Sequence, residues 1–175
     1  MKKTVRSRAL IGIVMMSLVV SAAVAQSAPQ GQEASQETQL RGFWIDPSTG
    51  LMWAGKDSGT DENYSSAVHY CRDLRLAGHS DWRLATIGEL RGIYVRKANA
   101  PGLAGKHDEV RIQWHVKGNL FLTGYQWAYG AYGQNGSSGW ESFNFDEGRS
   151  NGLVRFDYPT YSSFMRALCV RDSGK

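Results

Sequence analysis

Cysteine and proline are scarce: the 175-residue chain holds two of the first and four of the second. It has no C-x-x-C pair, HExxH element, glycine-rich phosphate loop, nucleophile elbow or paired-carboxylate motif. These absences remove dithiol exchange, zinc proteolysis, phosphoryl transfer and serine acyl transfer as motif-based readings. The four histidines show no metal-ligand spacing, which argues against zinc. Internal repeats and heptads are missing, and only one long apolar run exists, at the N-terminus. A polytopic membrane protein is therefore excluded. An excess of charge is missing too. The formal net charge is +4, but Lys2, Lys3, Arg6 and Arg8 stand in a first segment without acids, leaving sixteen basic against sixteen acidic residues. A global nucleic-acid reading loses its main support.

That first segment is informative. Four cations are followed by the apolar stretch from Ala9 to Val24 and by Ala23-Val24-Ala25, a small-x-small site. This is the layout of a secretory signal peptide over residues 1–25. The alternative is an uncleaved anchor, although the run is shorter than the roughly 20 residues a membrane helix needs. No cysteine follows it, so the usual bacterial lipid-anchor site is missing. The expected product starts near Gln26 and is exported to the periplasm, cell surface or medium. Residues 26–40 contain no aromatic side chain and read as a flexible leader. One domain is expected over 41–172, where all 20 aromatic residues fall.

Local patterns predict an α+β fold. Asp46-Pro47-Ser48-Thr49-Gly50 separates two apolar triplets as a turn, so residues 43–53 form a hairpin. Tyr64, Ala67, Val68, Cys71 and Leu74 share one helical face, with Gly78 beyond its end. Thr86-x-x-Glu89 has the capping-box form and starts a second short helix with Ile87, Leu90 and Tyr94. Asn99–Gly105 reads as a loop, Asn119–Thr123 as a strand, residues 124–139 as a long low-complexity loop, Trp140–Phe145 as a strand, and Met165–Arg171 as a buried final strand. In an oxidising compartment an even cysteine count suggests a bridge, here Cys71 to Cys169. A catalytic or redox thiol pair is the alternative.

Several runs then fall into one pattern: Asp46-x-x-Thr49-Gly50-Leu51-Met52-Trp53, Ala67-x-x-Tyr70-Cys71-x-x-Leu74, Asp81-Trp82-Arg83-Leu84-x-Thr86-x-x-Glu89-Leu90, and Ala167-Leu168-Cys169-Val170-Arg171-Asp172. Together they resemble the DUF1566 family, the domain at the C-terminus of the Legionella collagen-like adhesin. The likeness spans about residues 42–172. The chain departs from the family pattern at Ala85, where proline is usual, and near Leu122-Thr123-Gly124, where a W-S-S/T element is usual. The resemblance implies a C-type lectin-like fold, with two helices packed on twisted antiparallel sheets and a long irregular loop region. It further implies a non-enzymatic surface or secreted module, binding a glycan, sulfated in the adhesin's case, or a surface protein.

Two candidate surfaces follow. Trp127, Tyr129, Tyr132 and Trp140, with Asn135 and neighbouring amides and hydroxyls, suit the apolar faces and polar edges of a sugar. The alternative is that those rings only pin a loop to the core. Arg96, Lys97 and Lys106, within a segment also carrying Arg83, Arg91, His107, Arg111 and Lys117, suit sulfate or carboxylate. Scattered solvated charges are the plainer explanation, and Arg83 reads as a structural partner of Asp81 or Glu89. Glu141, Asn144 and Asp146 offer oxygen donors for Ca²⁺, but the sugar-binding motifs of calcium-dependent lectins are absent. No cofactor and no metal is expected. The alternative to a glycan receptor is an interaction or assembly subunit, for instance a homo-oligomer. A formylglycine-type enzyme is the third reading.

Overall fold

The computed structural model describes residues 38–104, 110–134, 137–155 and 163–174, without the side chains of 131–138 and 153–155. After a helical turn at 38–41, the predicted hairpin forms from β1 (Phe43–Ile45) and β2 (Leu51–Ala54). Its turn is built on Asp46. One carboxylate oxygen accepts the Ser48 N–H and hydroxyl at 3.0 and 2.7 Å, and the other accepts the Thr49 hydroxyl at 2.9 Å. Burial works against the Asp46 charge, yet these donors outweigh it and hold the carboxyl below its usual range.

Helix α1 (Tyr64–Asp73) begins at Asn63, whose side chain accepts the Ser66 N–H. It buries Ala67 and Cys71. It stops at Asp73, short of Gly78, because Leu74 turns extended. Strand β3 (Arg83–Leu84) leads into α2 (Ile87–Gly92), which carries the predicted capping box between Thr86 and Glu89. Helix α2 ends before Tyr94.

The second half is richer in strand than its sequence suggests. The expected loop at 99–105 contains β4 (Ala100–Ala104), paired with β5 (Val110–Trp114). The expected strand at 119–123 is instead a 3-10 turn at Lys117–Asn119 followed by irregular chain, in which Leu120 and Leu122 are fully buried. The expected long loop is a hairpin, β6 (Tyr125–Gln134) against β7 (Ser137–Asn144), continued by β8 (Arg149–Arg155). Alternation hides there because both faces are covered: Gln126, Trp127 and Ala128 are all buried. The final strand splits into β9 (Met165–Arg166) and β10 (Cys169–Asp172), which join different sheets.

Two four-stranded sheets result, ordered β1-β2-β10-β3 and β8-β7-β6-β9, with β9 parallel to β6. The domain is α+β, mostly sheet with few helices. One core cluster centres on Trp53, Leu90, Trp114, Leu122, Phe143 and Phe145. The other holds Met52, Ala67, Trp82, Leu84, Trp127 and the Cys71–Cys169 disulfide. The bridge joins α1 to β10 across a sequence separation of 98, and no described cysteine is free.

Candidate functional site

The aromatic candidates separate by burial. Trp127 is 2% exposed, packs edge-on to Tyr64 and donates its indole N–H to the Glu62 carbonyl at 2.7 Å. It is a core residue and offers no contact surface. Tyr129 is 53% exposed, while its backbone N–H is held by the Ala85 carbonyl at 2.7 Å. Trp140 is half-buried and stacks on Tyr64, centroids 4.5 Å apart and planes 17° apart. The Tyr64 hydroxyl accepts the Gly130 N–H at 3.2 Å, which draws it to the residue beside Tyr129. Tyr64, Trp140 and Tyr129 thus mark one aromatic ledge where α1 meets the β6–β7 hairpin. Tyr132 pairs through its backbone with Gly139. Asn135 and Lys106 lie outside the described residues.

Sequence reading placed Tyr64 only in the helix stripe. Its position was the missed signal. As the first residue after the cap it sits at the rim of the core, where a ring has one side packed and one side open.

A buried polar hub holds the loop that leads to Tyr64. Asp57, 2% exposed, accepts the Thr123 N–H (2.7 Å), the Thr123 hydroxyl (2.9 Å), the Gln126 side-chain amide (2.8 Å) and the Gly59 N–H (3.1 Å). Desolvation pushes its carboxyl above the usual range against the pull of these four bonds. Arg166 donates to the Thr123 hydroxyl at 2.8 Å and pairs with Asp61, which also accepts the Phe164 N–H. Loop 57–62, the approach to α1 and Tyr64, is thereby clamped to β6 and β9.

The cations are mostly engaged. Arg83 makes two bonds to Glu89, at 2.8 and 2.6 Å, and Asp81 pairs instead with Arg171 at 2.7 and 3.1 Å. Burial works to raise the Glu89 carboxyl, but the bonds from Arg83 and Thr86 outweigh it and hold it low. Arg91 reaches Glu141 and Ser150, and Lys117 donates to the Gly92 carbonyl. Arg96 and Lys97 are exposed, with no ion pair to a described residue. His107 lies outside the described residues, and Arg111 is exposed.

Of the proposed oxygen donors, Glu141 faces Arg91, and the Asn144 side chain is buried and accepts the Asp146 N–H at 2.8 Å. No three His, Cys, Asp or Glu converge for a metal among the described residues.

The Lcl C-terminal domain family matches residues 42–167, from β1 through β9 and including the ledge, the hub and both helices. The chain belongs to this family. No curated protein and no solved structure matches it. In this Lcl C-terminal domain the D-W-R-L run is framework: Trp82 and Leu84 are core, and Asp81 and Arg83 hold Arg171 and Glu89. Thr123, within the departure from the family pattern, is the centre of the Asp57 hub.

Proposed function

We propose that this Lcl C-terminal domain is an exported, non-enzymatic, adhesin-like binding module of C-type lectin-like arrangement that takes a glycan on the aromatic ledge. The single observation that carries the reading is the exposed Tyr129 beside the stacked Tyr64–Trp140 pair. An aromatic ring matches the C–H face of a sugar. The Tyr64 hydroxyl, which accepts from Gly130, keeps its own proton to donate to a sugar oxygen. Sheet, disulfide and hub hold the ledge in place before ligand arrives, which lowers the ordering cost of binding. The joined, buried cysteines give no support to a formylglycine-type oxidase, which needs a reactive thiol.

A second reading rests on Arg96 and Lys97, exposed and unpaired among the described residues. These would hold an anionic, for instance sulfated, glycan. Salt separates the two, because exposed charge pairs weaken once the Debye length falls to about 8 Å at physiological ionic strength. The test is a glycan array with sulfated polysaccharides at low and physiological salt. It uses protein purified from an exporting host, alongside Tyr129→Ala and Arg96→Ala/Lys97→Ala variants. Salt-resistant binding lost in Tyr129→Ala supports the ledge. Salt-sensitive binding lost in the double variant transfers the function to the cations. Binding to no glycan overturns the lectin reading, and a stable oligomer by light scattering would then favour an assembly subunit.

A further inference from the structure

A second concavity lies away from the aromatic residues just described. Its volume is about 480 Å³, and its walls include Ala54, Leu74, Leu76, Phe121, Lys56 and Tyr70. Volumes of about 300–1,000 Å³ are typical of small-ligand sites. The backbone around it is tied down. Gly55 donates to the Gly42 carbonyl at 2.8 Å, and Phe121 donates to the Gly55 carbonyl at 2.9 Å. A Cβ on Gly55 would come within 2.9 Å of the Gly42 backbone, so only glycine allows this close approach. The walls are therefore set by the fold rather than by loose side chains.

Lys56 and Tyr70 bring polar groups to this lining that no described residue engages. Lys56 is exposed, and its ammonium has no ion pair or hydrogen bond to any described residue. The neighbouring Asp57 makes no ion pair with it, its carboxylate being turned inward to four donors. Tyr70 is half-buried, and no described residue takes its hydroxyl proton. Burial pushes that hydroxyl above its ordinary pKa, and Asp57 and Glu62 add to the rise, so it stays a donor. A mostly apolar wall that also carries a cation without an ion pair to any described residue and a phenol O–H suits a ligand with an apolar tail and a carboxylate head.

We propose that this cleft binds a small amphiphilic carboxylate, its tail against Leu74, Leu76 and Phe121 and its carboxylate on the Lys56 ammonium and the Tyr70 hydroxyl. This site shares none of the proposed glycan residues, so the two readings stand or fall separately. The test is isothermal titration of the disulfide-intact protein with decanoate below its micelle concentration, with decanol as the uncharged control. One saturable decanoate site is expected, with decanol at least about tenfold weaker, a difference of about 1.4 kcal/mol. Lys56→Gln, at an exposed position, should keep the unfolding temperature and weaken decanoate about tenfold. Leu74→Trp should fill the cleft and abolish binding. If Leu74→Trp does not fold, Lys56→Gln and the decanol control decide alone. No saturable decanoate binding, equal binding of decanol, unchanged binding in Lys56→Gln, or retained binding in folded Leu74→Trp would each overturn the proposal.

Discussion

Replacing Asp57 tests whether the buried hub holds loop 57–62 against the second sheet. Asp57→Ala deprives four donors of their acceptor. Gly59 is partly exposed and can turn to water, and the Thr123 hydroxyl can rotate. The Thr123 amide and one Gln126 N–H cannot, since Thr123 is 5% and Gln126 0% exposed. An unsatisfied buried donor costs about 1–3 kcal/mol, so the variant should lose about 2–6 kcal/mol. That is a large share of a typical stability of about 5–15 kcal/mol. Asp57→Asn should lose less. Its remaining oxygen can take both buried N–H groups, while its NH₂ faces the Thr123 hydroxyl oxygen. The pH dependence has a defined sign. The folded-state pKa of Asp57 is raised, so its contribution is fully present below the ordinary carboxylate range and declines as pH rises through the raised value. The Asn variant does not titrate there, so its deficit should shrink as pH rises. Urea unfolding followed by tryptophan fluorescence at several pH values gives both results. An alanine variant within about 1 kcal/mol of the parent would refute the accounting, because less than one buried donor would then be unsatisfied. An Asn deficit that grows with pH would refute the sign.

Two other perturbations have calculable outcomes. Removing the disulfide as Cys71→Ala/Cys169→Ala, a loop of 98 residues, should cost about 4.7 kcal/mol in the chain-entropy model, read from guanidinium midpoints of parent and variant under oxidising conditions. Glu89→Gln should cost about 1 kcal/mol at neutral pH, because the neutral amide can still cap Thr86 but loses the charged pair with Arg83. Because the folded pKa of Glu89 is depressed, that difference should fade as pH drops through the folded value; a deficit that persists in acid would contradict it.

The first half of the domain was legible because its signals are local. The Asp46 turn, the α1 stripe and the Thr86–Glu89 box each act within a few residues. The disulfide was legible from cysteine parity, and its α1–β10 placement from the two patterns around it. The β6–β7 hairpin was not. Its register comes from partners that lie far off in sequence, such as Asp57 for Gln126 and Glu62 for Trp127. A buried glutamine between a tryptophan and a tyrosine has no strand period of its own. For the candidate site, Tyr129 and Trp140 were named from composition, whereas Trp127 was misjudged because ring count does not report burial. Arg83 was expected to pair with Asp81 or Glu89, and it chose Glu89; Arg171 took Asp81. Only three-dimensional proximity decides such alternatives.

The disulfide also determines how the domain would carry a pulling force. Phe43 lies opposite Ala54, and Asp172 opposite Leu51, so the two ends of the fold leave β2 in opposite directions. Tension between them shears β1 and β10 along β2, loading those hydrogen bonds together rather than one at a time. If the strands slipped, the covalent path would run from 43 to 71, across the bridge, and from 169 to 172. It would stretch to roughly 110 Å, against roughly 440 Å for the reduced chain, at about 3.4 Å per residue. Residues 72–168 lie off that path and feel no tension while the sulfur bridge lasts. Tyr129 and Trp140 lie off the loaded path, whereas Tyr64 and Asp57 lie on it, so stretching that segment would take the ledge apart while leaving the rest of its hairpin under no load.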